Sequence, residues 1–478
     1  MKNMTLENIV RACGGVYVGD ESKRQCEISG AVIDSRLVEK DFLFIPIKGA
    51  RVDGHDFIPA VFEKGALAAL SERRLENPGG PYILVDSAEA AMKALAKYYR
   101  RVLGIKVVGI TGSVGKTSTK EMIASVLSQK YHVLKTEGNL NNEIGLPLTI
   151  FKIRAEHEIA VLEMGISEFG EMDRLADMAQ PDICVITNIG LCHLENLMTR
   201  DGILKAKTES FAHLAEGGIA VLNGDDDKLC EKTVVNGRPT VFYGIGAEPK
   251  REDTPEGEKI LAEKEVYATD IKTVGLSGTR AEIQAGEESF AVEIPIAGEH
   301  NVYNALAAVC VARQLGLSAE EIKRGIASVQ TIGGRSNLIH RDGVTIIDDC
   351  YNANPVSMQA SVDVLSRATG RKIAVLGDMG ELGEQEKELH AMVGRHFAGR
   401  GIHALFCAGA LSLELARAVE EFSPETEVFW FDTKEELRGR LREYKKSGDT
   451  ILVKASHFMG FSEIVRALTE EEERGYFG

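Results

Sequence analysis

The chain has 478 residues, too many for one ordinary core and enough for two or three domains of roughly 100–200 residues each. Its 72 acidic and 56 basic side chains leave a formal charge of −16, which repels phosphate backbones and argues against nucleic-acid binding as its main role. Hydrophobic residues make up 44% and charged residues 27%, the balance of a folded protein rather than a disordered one. No apolar run approaches the roughly 18 residues of a membrane span, and the first residues, Met1 to Glu7, lack the apolar core of a secretory signal. A cytoplasmic, monomeric protein is the expectation. Eight scattered cysteines without any Cys-x-x-Cys pair point away from a zinc ribbon or disulfide scaffold and toward reduced, mostly buried thiols.

In chain order, residues 1–98 mix short apolar strands (Phe42–Ile47, Tyr82–Val85) with one helix, Ala88–Arg101, that reads as a connector. From Lys106 four-residue apolar runs alternate with helix-like stretches: Val107–Ile110, Ile159–Leu162, Ile183–Ile186 and Ile219–Leu222. Such runs suit parallel strands covered on both faces, a doubly wound α/β arrangement. Between Val266 and Ile296 the period changes to alternation, which predicts an antiparallel patch. A second alternating series, Thr345–Ile347, Ile373–Leu376, Ala404–Phe406, Val428–Trp430 and Ile451–Val453, predicts a further α/β domain. Glycines at 333 and 334, after a helix expected to end near Val329, mark the boundary before it. Three domains follow: 1–98, 99–330 and 331–478.

The segment Thr111-Gly112-Ser113-Val114-Gly115-Lys116-Thr117 follows a predicted strand and opens a predicted helix at Ser118. Glycines turn backbone amides inward on phosphate oxygens, and the helix terminus adds partial positive charge. Lys116 can reach the outer phosphates and the Thr117 hydroxyl can ligate Mg²⁺. Ile110 occupies the first glycine of the longer G-x-x-x-x-G-K-[ST] pattern, so only the shorter form is present. Glu163 ends a strand at the edge where parallel sheets bind ligands; it can hold a metal or cap the next helix. His193 follows the strand Ile183–Ile186 and offers a nitrogen ligand, although a lone histidine is more often structural. Lys207, on the helix-like stretch Leu204–Glu209, reads from the residues alone as part of a solvated face.

Together the phosphate loop, Leu162-Glu163-Met164-Gly165 and the Asn188 to His193 stretch resemble the central domain of the Mur ligase family, ATP-dependent amide-bond ligases of peptidoglycan precursor synthesis. Within that family the likeness is to the ligases that add D-alanyl-D-alanine to UDP-N-acetylmuramoyl-tripeptide, and it runs through nearly the whole chain. It is carried by Asp34-Ser35-Arg36 with Gly54-His55-Asp56-Phe57, by Asn139 to Thr149, by Gly298 to Ala305, and most specifically by Asp348-Asp349-Cys350-Tyr351-Asn352-Ala353-Asn354-Pro355. The resemblance implies a small mixed α/β domain for the UDP-sugar, a central P-loop domain for ATP and a Rossmann-like C-terminal domain for the dipeptide. It implies that Thr111, Gly112, Ser113, Val114, Gly115, Lys116, Thr117 and Ser118 hold ATP, with Asn304 at the adenine and Asp349 at the ribose. Two Mg²⁺ ions would be held by Thr117, Glu163, His193 and a carbamylated Lys207, and Arg335 would reach the phosphates from the third domain. Lys116, Lys207, His193 and Arg335 form the implied catalytic set. Ser35, Arg36, Asn139, Asn142, Tyr351 and Asn354 are the implied substrate contacts.

One departure stands out: where the family carries Lys-Gly-Ser-Arg before its last helix, this chain has Lys454-Ala455-Ser456-His457. It bears on acceptor affinity, because an unperturbed histidine is mostly uncharged at neutral pH, or it is loop drift without consequence. Other amide ligases of the same superfamily, such as folylpolyglutamate synthases, lack the Asp34-Ser35-Arg36 type of domain. A P-loop GTPase would need an Asn-Lys-x-Asp motif, which is absent. A precursor-binding protein that has lost catalysis is the remaining alternative, and intact Lys116, Thr117, Glu163, His193 and Lys207 speak against it.

Overall fold

The computed structural model describes residues 1–49, 51–254 and 257–470, and builds the chain around three main sheets. The first sheet orders Val16–Val18, Tyr82–Leu84, Ala68–Ser71, Phe42–Phe44 and Gly30–Val32, parallel except for its first pair. The central, nine-stranded sheet is parallel from Val133–Lys135 through Ile159–Glu163, Lys106–Thr111, Ile183–Ile186, Ile219–Asn223 and Val241–Ile245 to Lys264–Thr273. It then continues antiparallel through Thr279–Ala285 and Glu288–Ile294, the patch that alternation predicted. The third sheet runs Asn337–Arg341, Val344–Asp348, Thr450–Lys454, Lys372–Gly377, Ala404–Ala408 and Glu427–Phe431, antiparallel only at its first pair. Buried runs such as Ile159-Ala160-Val161-Leu162 sit between helix layers, which is why they carry apolar residues on both faces. No helix among the described residues is long and apolar enough to cross a membrane.

Several local expectations shift. The helix after the phosphate loop opens at Lys116 rather than Ser118, because Gly115, at φ 85°, turns the chain straight into it. The helix expected to end near Val329 ends at Ala327. The helix Ala88–Leu103 is more than a connector. Its buried face (Ala91, Met92, Leu95, Tyr99) belongs to one apolar core that also contains Leu43 and Ile83 of the first sheet and Val107 and Leu162 of the central one. Polar contacts reinforce this seam: Lys97 pairs with Asp177 at 2.6 Å, and the buried Arg100 donates to Ala179 O at 2.9 Å. Six of the eight cysteines are buried, whereas Cys26 is exposed and Cys13 half-buried.

Helix Ala319–Ala327 packs on helix Lys116–Leu127, and so sets the back of the phosphate loop. At Gly325 an added Cβ would lie 2.4 Å from the Cα of Val126, so the two helices meet backbone to backbone. Gly325→Ala is therefore expected to destabilise the protein by about 1–3 kcal/mol through overpacking. At Gly439, inside helix Lys434–Tyr444, the same methyl meets open space. Gly439→Ala should raise the melting temperature slightly. Equal responses of the two variants in thermal unfolding would contradict this packing.

Candidate functional site

The strand Lys106–Thr111 delivers the phosphate loop to the carboxyl edge of the central sheet, and the neighbouring strand end holds it there. Val114 N donates to Asn188 Oδ1 at 3.0 Å, while Val114 O accepts from Thr187 Oγ1 at 2.6 Å and from Asn188 Nδ2 at 3.0 Å. Gly112 crosses so close to Thr187 that a Cβ would lie 1.9 Å from its hydroxyl oxygen, which explains glycine at that position. Lys116 folds back over the loop, its Nζ donating to Gly112 O at 2.9 Å and Ser113 O at 3.4 Å. These carbonyls are neutral, and no carboxylate forms an ion pair with Lys116 among the described residues, so its positive charge is available. Thr117, in the first helical turn, is buried.

Residues Ser113 to Ser118 line one cleft of about 710 Å³ together with Asn139, Asn142, Glu163, His193, Asn304, Arg335, Asp349, Tyr351 and Asn354. Most of the sequence-predicted site thus meets in one place, between the central and the third sheets. Thr111 is buried behind the loop, and Gly112 sits at its packed base. Ser35 and Arg36 lie outside the cleft: the exposed Arg36 guanidinium clasps Asp34 at 2.6 Å and holds that carboxyl down at about 2. Two of the predicted substrate contacts also have local structural work. Asn142 Oδ1 accepts from Gly145 N at 2.8 Å, and Asn354 caps helix Pro355–Ser366 through Ser357 N at 2.9 Å. Asn304 is fixed by Thr119 Oγ1, which donates to its Oδ1 at 2.8 Å, and by its own donation to Asn301 Oδ1 at 3.0 Å.

Glu163 is buried at the strand end, and one oxygen accepts from Asn141 Nδ2 at 2.8 Å. The other, Oε2, is buried without a hydrogen-bond partner, and the Lys120 ammonium stands 3.9 Å away. A carboxylate oxygen left in that state fits a bound cation. Lys207 departs from the solvated-face reading: it is 1% exposed, on the same helical stripe as Ile203 and Ala206. No hydrogen bond or ion pair joins its amine to another described residue. Burial dominates, outweighing the opposing Cys192, and the nearby Lys116 charge adds to it, so that its pKa is lowered to about 8. His193, in the left-handed region at φ 51°, has its Nδ1 2.5 Å from Glu381 Oε2, in close contact but without hydrogen-bond geometry. No group of three or more His, Cys, Asp or Glu residues forms a metal cluster among the described residues. A metal here would need the mixed set of Thr117, Glu163, His193 and a modified Lys207.

The third sheet supplies the facing wall. Asp348 and Asp349, at the end of strand Val344–Asp348, pin the loop that presents Arg335: Gly334 N donates to Asp348 Oδ2 at 2.8 Å and Ser336 N to Asp349 Oδ1 at 2.9 Å. The Arg335 guanidinium lies 4.2 Å from the Tyr351 ring centroid, a cation–π contact that orients it. Burial works against the Asp349 carboxylate, but the Lys454 ammonium at 2.6 Å, the Ser361 hydroxyl at 2.6 Å and Ser336 N together hold its pKa below the usual range. In the departing segment, Lys454 therefore has a clear structural partner. Ser456 accepts from Gly380 N at 2.9 Å, Ala455 is buried, and His457 is exposed with its ring 5.6 Å from that of Tyr351. Sequence reasoning missed Thr187, Asp348 and Glu381. The first two sit at parallel-strand ends and could have been found by that rule; Glu381 carries no local signal beyond following such a strand.

Three stretches match family models: residues 27–111 the Mur ligase family catalytic domain, 110–312 the Mur ligase middle domain, and 334–457 the Mur ligase glutamate ligase domain. A UDP-N-acetylmuramoyl-tripeptide–D-alanyl-D-alanine ligase of Bacillus subtilis is 38% identical over 98% of this chain and 99% of its own length. The Escherichia coli protein of the same name is 33% identical over 98% and 99%. Among solved structures, MurF from Acinetobacter baumannii superposes with a TM-score of 0.85 at 33% identity, covering 98% of this chain and 99% of that one. MurF from Thermotoga maritima in complex with ADP gives 0.78 at 33% identity, covering 92% and 96%. With a phosphate loop facing an arginine across one cleft, and with likeness over its full length, the chain belongs to the Mur ligase family.

Proposed function

We propose that the protein is an ATP-dependent amide ligase that joins D-alanyl-D-alanine to UDP-N-acetylmuramoyl-tripeptide, the last cytoplasmic step toward the UDP-pentapeptide. The observation that carries this reading is the single cleft in which Lys116 and Arg335 face each other from two sheets. The relatives' shared name supports the substrate assignment, and the ADP complex of the Thermotoga maritima protein supports the nucleotide. In this reading residues 1–98 hold the UDP-sugar, 99–330 the ATP and 331–478 the dipeptide.

The γ-phosphoryl group leaves ADP and bonds to a carboxylate oxygen of the tripeptide, giving an acyl phosphate. The dipeptide amine then attacks the acyl carbon; phosphate departs with the C–O bonding electrons and the nitrogen loses its proton. All the reacting oxygens are anionic, so the chain's task is to gather cations around them. Lys116 exchanges its two carbonyl partners for phosphate oxygens, and the loop amides with the helix terminus cradle the rest. Arg335, already oriented by Tyr351, meets the transferring group from the other wall. Asn304 offers an amide edge to the base. Thr117, Glu163 and His193 are the residues that would hold Mg²⁺, whose bound charge offsets that of the phosphates. Lys207 joins them if its neutral amine adds CO₂, releasing a proton and becoming a carbamate anion. A pKa near 8 makes the neutral amine available at physiological pH.

Phosphate release with Mg²⁺-ATP and the tripeptide should depend on D-alanyl-D-alanine, and mass detection should find the UDP-pentapeptide. Release that ignores the dipeptide would sink the acceptor assignment. Lys116→Ala should lower kcat by at least about a thousandfold while leaving the melting temperature in place; near-normal turnover would refute the site. Lys207 also makes a stability prediction. Its folded pKa lies below the ordinary 10.5, so the fold carries the full burden of an unpaired charge below about pH 8, and that burden fades as pH rises toward 10.5. The gap corresponds to on the order of 3 kcal/mol. In carbonate-free buffer at pH 7, Lys207→Met should therefore raise the melting temperature while abolishing turnover, with the gain vanishing near pH 10. A loss of stability at pH 7 would contradict the burial argument.

A further inference from the structure

Glu381 belongs to the third sheet's side of the molecule, in the loop that follows strand Lys372–Gly377, yet it touches His193 of the central part. Two hydrogen bonds fix the loop from behind. Met379 N donates to Nε2 of the buried His390 at 2.9 Å, and Gly380 N donates to Ser456 Oγ at 2.9 Å. Glu381 then takes the left-handed region at φ 62°, as His193 does on the other side, a conformation that non-glycine residues adopt only where the surroundings impose it. The neighbouring apolar contacts cross the same gap: Leu191 and Leu194, flanking His193, pack against the core of the third sheet. The segment carrying His193 is thus seated by the third domain as well as by its own.

We propose that Glu381 is a positioning residue for His193, supplied from the opposite domain, so that the cation-binding face of the cleft is complete only when the third domain is docked. The inference rests on the reading of His193 as a metal ligand. A ligating histidine usually turns its second ring nitrogen to a carboxylate, which fixes the ring and leaves the first nitrogen for the metal. Here Nδ1 faces Glu381 and Nε2 has no partner among the described residues. Because the Glu381 side chain is largely exposed, the pair adds little stability, and its effect is on orientation.

The test is Mn²⁺ binding to the full-length protein in the presence of ADP, followed by electron spin resonance, for the wild type and for Glu381→Ala, Glu381→Asp and His193→Ala. Glu381→Ala should weaken Mn²⁺ about tenfold, with unchanged melting temperature and unchanged ADP affinity in the absence of metal. The aspartate variant should recover part of the loss, which a merely structural surface residue would not require. Wild-type Mn²⁺ affinity in Glu381→Ala, alongside weakened binding in His193→Ala, would overturn the role of Glu381 alone. Wild-type affinity in His193→Ala would overturn the metal reading of His193 and this inference with it.

Discussion

Five cations, Lys116, Lys120, Lys207, Arg335 and Lys454, stand in or beside one cleft of a chain whose net charge is −16, and the architecture depends on how each is kept there. Removing a charge from water is costly unless something replaces the solvent. Lys454 is matched by Asp349, and Lys120 by Thr136 O at 2.6 Å and Glu121 at 3.1 Å. Among the described residues, Lys116 has only backbone carbonyls, Arg335 an aromatic face, and the amine of Lys207 no hydrogen-bond or ion-pair partner. The two pairs satisfied by carboxylates hold the walls in place. Lys116 and Arg335, which no carboxylate pairs among the described residues, are the two that an anionic ligand would satisfy, so the imbalance of charge in the cleft favours such a ligand.

The topology makes this concentration possible. Parallel strands send their carboxyl ends to one edge, and both the central and the third sheet point that edge at the shared cleft. Thr111, Glu163 and Ile186 end three adjacent strands of the central sheet; Asp348 and Lys454 end two adjacent strands of the third. Strand pairing therefore sets the spacing within each wall, while packing between the two sheets sets the distance across. The helix Ala88–Leu103 locks the first sheet to the central one through a common core. The link to the third sheet is lighter, with Leu191, Leu194 and Leu276 reaching into its core and Arg367 donating to Thr273 Oγ1 at 2.9 Å. A lighter seam is the kind that permits one domain to move relative to another.

What the sequence made legible is what short-range pattern encodes. The loop from Thr111 to Thr117 announces itself by its glycines between a strand and a helix, and Glu163 and His193 by following apolar runs. The antiparallel patch near residues 279–294 follows from simple alternation. Charge alone places Lys207 on a solvated face, but its register decides otherwise: it lies four residues after Ile203 and three after Leu204, on the buried face of its helix. The grip of Asp349 on the Arg335 loop, and the contact between His193 and Glu381, join residues 13 and 188 positions apart. The first arises only when the strands Asn337–Arg341 and Val344–Asp348 pair, the second only when two sheets are packed together, and no periodicity or propensity encodes either. Asn142 and Asn354, implied as substrate contacts, also have structural partners: Asn142 accepts from Gly145 N at the start of helix Gly145–Phe151, and Asn354 caps helix Pro355–Ser366.

The central claim is that one ligand is held from both walls of the cleft at once. Hydrogen–deuterium exchange of the full-length protein, with and without Mg²⁺-ADP and the tripeptide substrate, tests it most directly. The account predicts slowed exchange in two separated stretches, Gly112–Ser118 on the central sheet and Gly334–Asp349 on the third. Protection confined to the first stretch would leave the phosphate loop a nucleotide site, but would contradict the assembly of the active cleft from two domains.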